Sequence, residues 1–174
     1  MRSDEQLLEA ANRGEAEAFE ALYHRYRDWI YRLAWRFTGN EPDALDVLQE
    51  TFAYLLRKVP HFRLTASMTT FLYPVVKHLA LNTRRKRSGR TDDEALLEVP
   101  DPATPQTSRA ELAAVLATLA DDQREVVLMR FVDGMTLDEI ATALDVPTGT
   151  VKSRLHRALQ ILRDDSRTRD YFLP

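Results

Sequence analysis

Seven polar side chains fall within the ten residues from Thr148 to Arg157: Thr148, Thr150, Lys152, Ser153, Arg154, His156 and Arg157. Arg and Lys donate to guanine edges and to phosphates, and Ser and Thr make adaptable contacts. This set can therefore read duplex DNA through its major groove. Between them, Val151, Leu155, Ala158, Leu159 and Leu162 recur at helical spacing and form one apolar face. From Thr150 to Arg163 there are four Lys or Arg and no acid. The amides near Thr148 can also bind a phosphate, as helix N-termini do. The alternative for the same residues is a solvated basic face on a surface helix.

A second basic run, Arg84-Arg85-Lys86-Arg87, follows a stretch in which Thr69, Thr70, Phe71, Tyr73, Lys77, His78 and Asn82 mix rings with polar donors. Aromatic platforms beside phosphate-binding charges hold unpaired bases, at ~1–3 kcal/mol per stacked base. Phe62 and Arg63, shortly before, extend that surface. The macrodipole alone also favours cations at a helix C-terminus, and that is the structural reading of the run. A third group, Asp43, Asp46, Val47 and Glu50 with Gln49 adjacent, has the spacing of neighbours along one side of a helix. It is either solvated surface or a docking face for a basic partner.

Nothing in the chain demands an enzyme. The histidines at 24, 61, 78 and 156 lack metal-pair spacing, and there is no cysteine to assist them. Glycine-rich phosphate loops and a nucleophile elbow are absent. No catalytic, metal or cofactor site is expected.

The elements that must position these residues are predicted to be all helical, in two small domains on a flexible linker, the second containing a helix-turn-helix. Thr136-Leu137-Asp138-Glu139 is a capping box opening a helix with Ile140, Ala141 and Leu144 on its apolar stripe. Asp145-Val146-Pro147 stops it, and Thr148 is placed to cap the basic helix. Upstream, Ser3 with Gln6 resembles another capping box, over a helix to about Asn12. A long helix from about Glu15 carries Phe19, Leu22, Tyr23, Tyr26, Ile30, Leu33, Ala34 and Phe37 on one face and ends near Gly39. The next begins at Pro42, turns Leu45, Leu48, Phe52, Leu55 and Leu56 inward, and stops at Pro60. A fourth runs to roughly Arg87, with Pro74 predicting a kink or a later start. Helical periodicity resumes at Leu112, Leu116 and Leu119, then at Val126, Val127 and Phe131, before Asp133-Gly134. The boundaries expected are 1–87, a linker over 88–107, and 108–174.

Composition fits this picture. With 174 residues and 44% apolar content, the chain is long enough for two cores. Its net charge of −3 hides segregation: Thr91 to Glu111 holds six acids and one Arg, whereas five of the seven residues from Arg84 to Arg90 are basic. Phosphates sense charge within a Debye length of ~8 Å, so the overall sign says little about DNA. The absence of Cys excludes disulfides and fits a reducing cytosol. No run approaches the ~20 apolar residues of a membrane span, so a cytoplasmic protein without membrane insertion is expected.

Four blocks, in this order, resemble bacterial RNA polymerase sigma factors of the small extracytoplasmic-function (ECF) type. They are Ala18-Phe19-Glu20-Ala21-Leu22-Tyr23, Asp43 through Phe52, Leu119 through Leu128, and Gly149 through Ala158. The resemblance implies a transcription initiation factor that binds core RNA polymerase and directs it to −35/−10 promoters. It assigns Asp43, Asp46, Val47, Gln49, Glu50 and Phe52 to core binding. Phe62, Arg63, Thr70, Phe71, Lys77, His78, Asn82, Arg84 and Arg85 fall to melting and reading the −10 element, and the basic helix to the −35 element. Its implied partners are core polymerase, promoter DNA and an anti-sigma protein. The chain departs from the pattern at Phe71, where Trp is frequent, and at Pro74 and His78, where a basic residue and Asn are common. Two rival readings are a sigma-like decoy that binds an anti-sigma protein instead of DNA, and a standalone helix-turn-helix repressor.

Overall fold

The computed structural model describes residues 2–59, 61–88 and 112–168. All regular secondary structure among them is helical, as expected. The chain divides into two compact units, Met1–Leu96 and Leu97–Pro174. Apart from Ser88 the expected linker, 88–107, lies outside the described residues.

The first unit consists of α1 (Asp4–Asn12), α2 (Ala16–Thr38), α3 (Glu41–Lys58) and α4 (Met68–Ser88). The Ser3–Gln6 capping box is formed. Gly39 ends α2 at φ 71, the left-handed conformation that costs glycine nothing. α2 packs against the other three helices, and Leu22, Ile30, Leu33 and Phe37 of α2 are buried, as are Leu55 of α3 and Leu72, Tyr73 and Val76 of α4. Phe37 and Tyr73 pack edge to face, 6.4 Å between centroids. The Asp4 carboxylate accepts from Arg25 and Tyr26, tying α1 to α2. α4 starts before Pro74, not after it, because the Ser67 hydroxyl accepts from the Thr70 amide at 3.3 Å and opens the helix there.

α3 corrects the expected core. Leu45 and Leu56 are 40% and 55% exposed, not inward. The buried stripe is Ala44, Val47, Thr51, Phe52 and Leu55, rotated by about one residue from the line of leucines. Ala44 is fully buried, and buried Thr51 satisfies its hydroxyl on the Val47 carbonyl at 2.7 Å.

In the second unit a helical segment over 112–116 precedes α5 (Asp121–Phe131), α6 (Leu137–Leu144) and α7 (Thr148–Asp164). Val115, Leu116, Leu119, Val127, Leu128, Ala158 and Leu162 form its core, with Leu155 and Leu159 packed against them. Leu112 and Phe131, read as part of the apolar periodicity, are exposed instead. Buried Arg124 donates to the carbonyls of Leu116 at 2.8 Å and Leu119 at 2.9 Å, closing the segment ahead of α5. The Thr136–Glu139 capping box is present. α6 ends on Asp145 in the left-handed conformation, φ 54, with the Val146 amide reaching back to the Ala141 carbonyl at 3.0 Å. Thr148 does not cap α7. The cap position is Pro147, and the Thr148 hydroxyl donates to Asp138 at 3.0 Å, joining the two helices of the turn.

Candidate functional site

Burial of Val151, Ala158 and Leu162 fixes the rotation of α7 and turns Lys152, Ser153, His156 and Arg157 outward. These four sit at i, i+1, i+4 and i+5, a contiguous patch over two turns. Thr148 and Thr150 are half-buried at its N-terminal edge, and Ser153 holds its hydroxyl on the Thr150 carbonyl at 3.0 Å. Arg154 differs from its neighbours. Its Nε lies 2.9 Å from Asp122 at the start of α5, with 26% of the side chain exposed. The guanidinium is thus directed to α5 rather than along the outward patch. The chemistry on offer is two cations, an imidazole and a hydroxyl on one convex helix face.

On the first unit, the expected aromatic surface forms without Tyr73, which is 0% exposed and packs in the core against Phe37, and it gains a ring from α3. Phe62, in the loop before α4, meets Phe71 at 4.5 Å, and Phe71 stacks on Tyr54 of α3 at 6.3 Å and 23°. Lys58 lies 5.3 Å from the Tyr54 ring centre, within cation–π range. Tyr54 and Lys58 were missed by sequence reasoning, although their i, i+4 spacing on one helix face was legible. Along α4, Asn82 bonds His78 at 2.8 Å and accepts from Arg85, so three expected site residues form one ladder. Arg63 is exposed and Arg84 half-buried. Lys77 is also half-buried, its ammonium 5.9 Å from the Phe37 ring centre. Thr70 is a correction: it is 3% exposed, and its hydroxyl is bonded to Ser67 at 2.8 Å, so it belongs to the start of α4 and not to a ligand surface.

The acidic stripe of α3 is only partly a surface. Val47 is 0% and Phe52 7% exposed, so both support the face from within and neither offers a contact. Asp43 is committed internally, accepting from Asn40 at 2.7 Å and from Arg87 at 3.1 Å. Asp46, Gln49 and Glu50 remain exposed, beside the outward Leu45 and Leu56.

Among the described residues, no group of His, Asp or Glu is arranged to hold a metal ion, and no helix is long and apolar enough to cross a membrane.

The family model of Sigma-70 region 2 matches residues 22–90, and that of Sigma-70, region 4 matches residues 109–162. The ECF RNA polymerase sigma factor SigE of Mycolicibacterium smegmatis is 37% identical over 158 residues, which cover 84% of this chain and 61% of that protein. ECF RNA polymerase sigma factor SigW of Bacillus subtilis is 27% identical over 92% of this chain and 95% of its own length. RNA polymerase sigma-H factor of Pseudomonas aeruginosa is 30% identical over 91% of each. The solved structure of CnrH in complex with the cytosolic domain of CnrY has a TM-score of 0.66 at 25% identity, covering 91% of this chain and 93% of that one. A Bartonella quintana sigma factor, RpoE, in complex with the anti-sigma factor NepR has the same fold at TM-score 0.65 and 20% identity, over 84% and 94%. With both region models matched in order, and with the P. aeruginosa factor and the ECF RNA polymerase sigma-E factor of Salmonella typhimurium each 30% identical over about nine-tenths of both lengths, the chain belongs to the ECF family of RNA polymerase sigma factors, which are transcription initiation factors and not enzymes.

Proposed function

We propose that the first unit binds core RNA polymerase through Leu45, Asp46, Gln49, Glu50 and Leu56 of α3, and reads and helps to melt the −10 element. In that role Phe62, Phe71 and Tyr54 stack bases of the opened strand. Arg63, Lys77, His78, Asn82, Arg84 and Arg85 meet its edges and phosphates. The second unit reads the −35 element through Lys152, Ser153, His156 and Arg157, with Thr148 and Thr150 at the phosphate-facing end of α7. Arg154 sets the pose of that helix through Asp122. The observation that carries this reading is the presence, in separate compact units of one chain, of a capped helix-turn-helix with an outward basic patch and an aromatic cluster beside a polar ladder. The first suits a duplex groove and the second suits unstacked bases.

Tethering two modest DNA contacts to one polymerase raises their effective concentration, so neither unit needs high affinity alone. An anti-sigma protein is the expected regulatory partner, one able to cover the faces that polymerase and DNA use. The test is transcription by core polymerase from the chain's own genomic DNA. Specific transcripts that vanish when either the −35 or the −10 element is scrambled support the proposal. Tight, salt-resistant binding to a palindromic site without polymerase would instead establish the repressor reading.

A further inference from the structure

The loop between α3 and α4 carries Phe62 and Arg63, yet its backbone is poorly anchored. Among the described residues, 62–66 form no backbone–backbone hydrogen bond; the flanking bonds are His61 to the Lys58 carbonyl at 3.2 Å and Phe71 to the Ser67 carbonyl at 3.0 Å. Packing does not lock the loop against α1 either, because a half-open cleft of about 510 Å³ lies between them, lined by Leu8, Asn12, Arg13, Phe62, Arg63 and Leu64. Across this gap the Asn12 amide donates to the Phe62 carbonyl at 2.9 Å, a contact 50 residues apart in sequence. The Asn12 Oδ1 is buried without a partner. An unpartnered buried acceptor is costly, so an apolar residue would suit packing better at this position. What asparagine adds is the donor that holds the loop.

From this geometry we infer that Asn12 is a positioning residue for −10 recognition: its amide fixes the Phe62 carbonyl and thereby the placement of the Phe62 ring on Phe71. The inference rests on the proposal that this loop contacts the −10 element. α1, which carries none of the expected DNA-contacting residues, then contributes to promoter specificity through a single hydrogen bond.

The test uses the full chain with core polymerase on templates with matched and mismatched −10 elements, each with an intact −35 element. The quantity read is the ratio of transcript from the two. Losing one hydrogen bond that holds the loop corresponds to about a fivefold fall in this ratio for Asn12→Ala. Asn12→Asp, which keeps the volume and replaces the donor with an acceptor, should lose as much. Asn12→Gln, which keeps an amide, should recover part of it. Affinity for core polymerase should change less than twofold in all three. A lower melting temperature with an unchanged ratio in both Asn12→Asp and Asn12→Ala would overturn the inference, since a merely structural role lowers both transcripts together. Should Asn12→Ala not fold, Asn12→Asp against Asn12→Gln decides alone. Phe62→Ala separates the two levels of argument. If it leaves the ratio unchanged, the loop does not read the −10 element and the proposed function fails there; if it alone moves the ratio, only the role of Asn12 fails.

Discussion

The Arg154–Asp122 pair separates an arginine that reads DNA from one that holds the reader in place. Its Nε–Oδ2 distance is 2.9 Å, and the side chains are 26% and 49% exposed. Two charges ~4 Å apart attract by about 1 kcal/mol in water and about 4 kcal/mol at an effective dielectric of ~20. This much exposure places the pair near the first limit, and exposed pairs measure ~0.2–1 kcal/mol once side-chain ordering is included. A double-mutant cycle of Asp122→Ala and Arg154→Ala should therefore give a coupling of about 0.5–1 kcal/mol that shrinks between 0.1 and 1 M salt. Amide exchange of Val151, Ala158 and Leu162, which face the core of the second unit, reports that stability where the pair acts. In −35-dependent transcription, Arg157→Ala should cost ~1–3 kcal/mol, as expected for a lost base contact. Arg154→Ala should cost less than half of that. The reasoning is refuted if Arg154→Ala abolishes −35 discrimination while amide exchange in α7 is unchanged and the coupling to Asp122 is nil.

Three further outcomes are expected. Leu56→Arg should weaken binding to core polymerase at least tenfold with under ~0.5 kcal/mol lost in urea unfolding, because the side chain is exposed and Arg matches Leu in helix propensity and suits the last turn of α3; co-purification with core measures the first effect. Burial, then the hydrogen bond to Asp4, raises the Tyr26 pKa above its ordinary value of 10.0. The folded state thus keeps the phenolic proton longer than the unfolded chain. The stability this supplies is full below about pH 10 and falls as pH rises further; Tyr26→Phe should flatten that alkaline loss, as read by urea unfolding followed at Trp29 and Trp35 of the same unit. Asp145→Gly should stabilise the helix-turn-helix by up to about 1 kcal/mol in thermal unfolding, since Asp145 holds φ 54 where a side chain is strained.

Much of the fold was legible because its signals act within a turn or two. The capping boxes Ser3–Gln6 and Thr136–Glu139 join residues three apart, Gly39 terminates its own helix, and the apolar period of α7 sets which way Lys152, Ser153, His156 and Arg157 face. Such features depend on backbone geometry and side-chain spacing, and the chain carries both along its length. Contacts between distant segments decided the rest. Helix α3 has two plausible apolar lines one residue apart, and only packing against α2 and α4 selects Ala44, Val47, Thr51 and Leu55, leaving Leu45 and Leu56 outside. Arg154 looks like its basic neighbours until Asp122, thirty-two positions upstream, is brought to it. Tyr54 joins Phe71 and Phe62 only when α3 lies beside α4, and Asn12 meets the Phe62 carbonyl only when α1 closes on the loop. Periodicity states which residues share a face. Which face finds a partner, and which charge is used up on the way, is settled by the competition among all the segments for the same buried space.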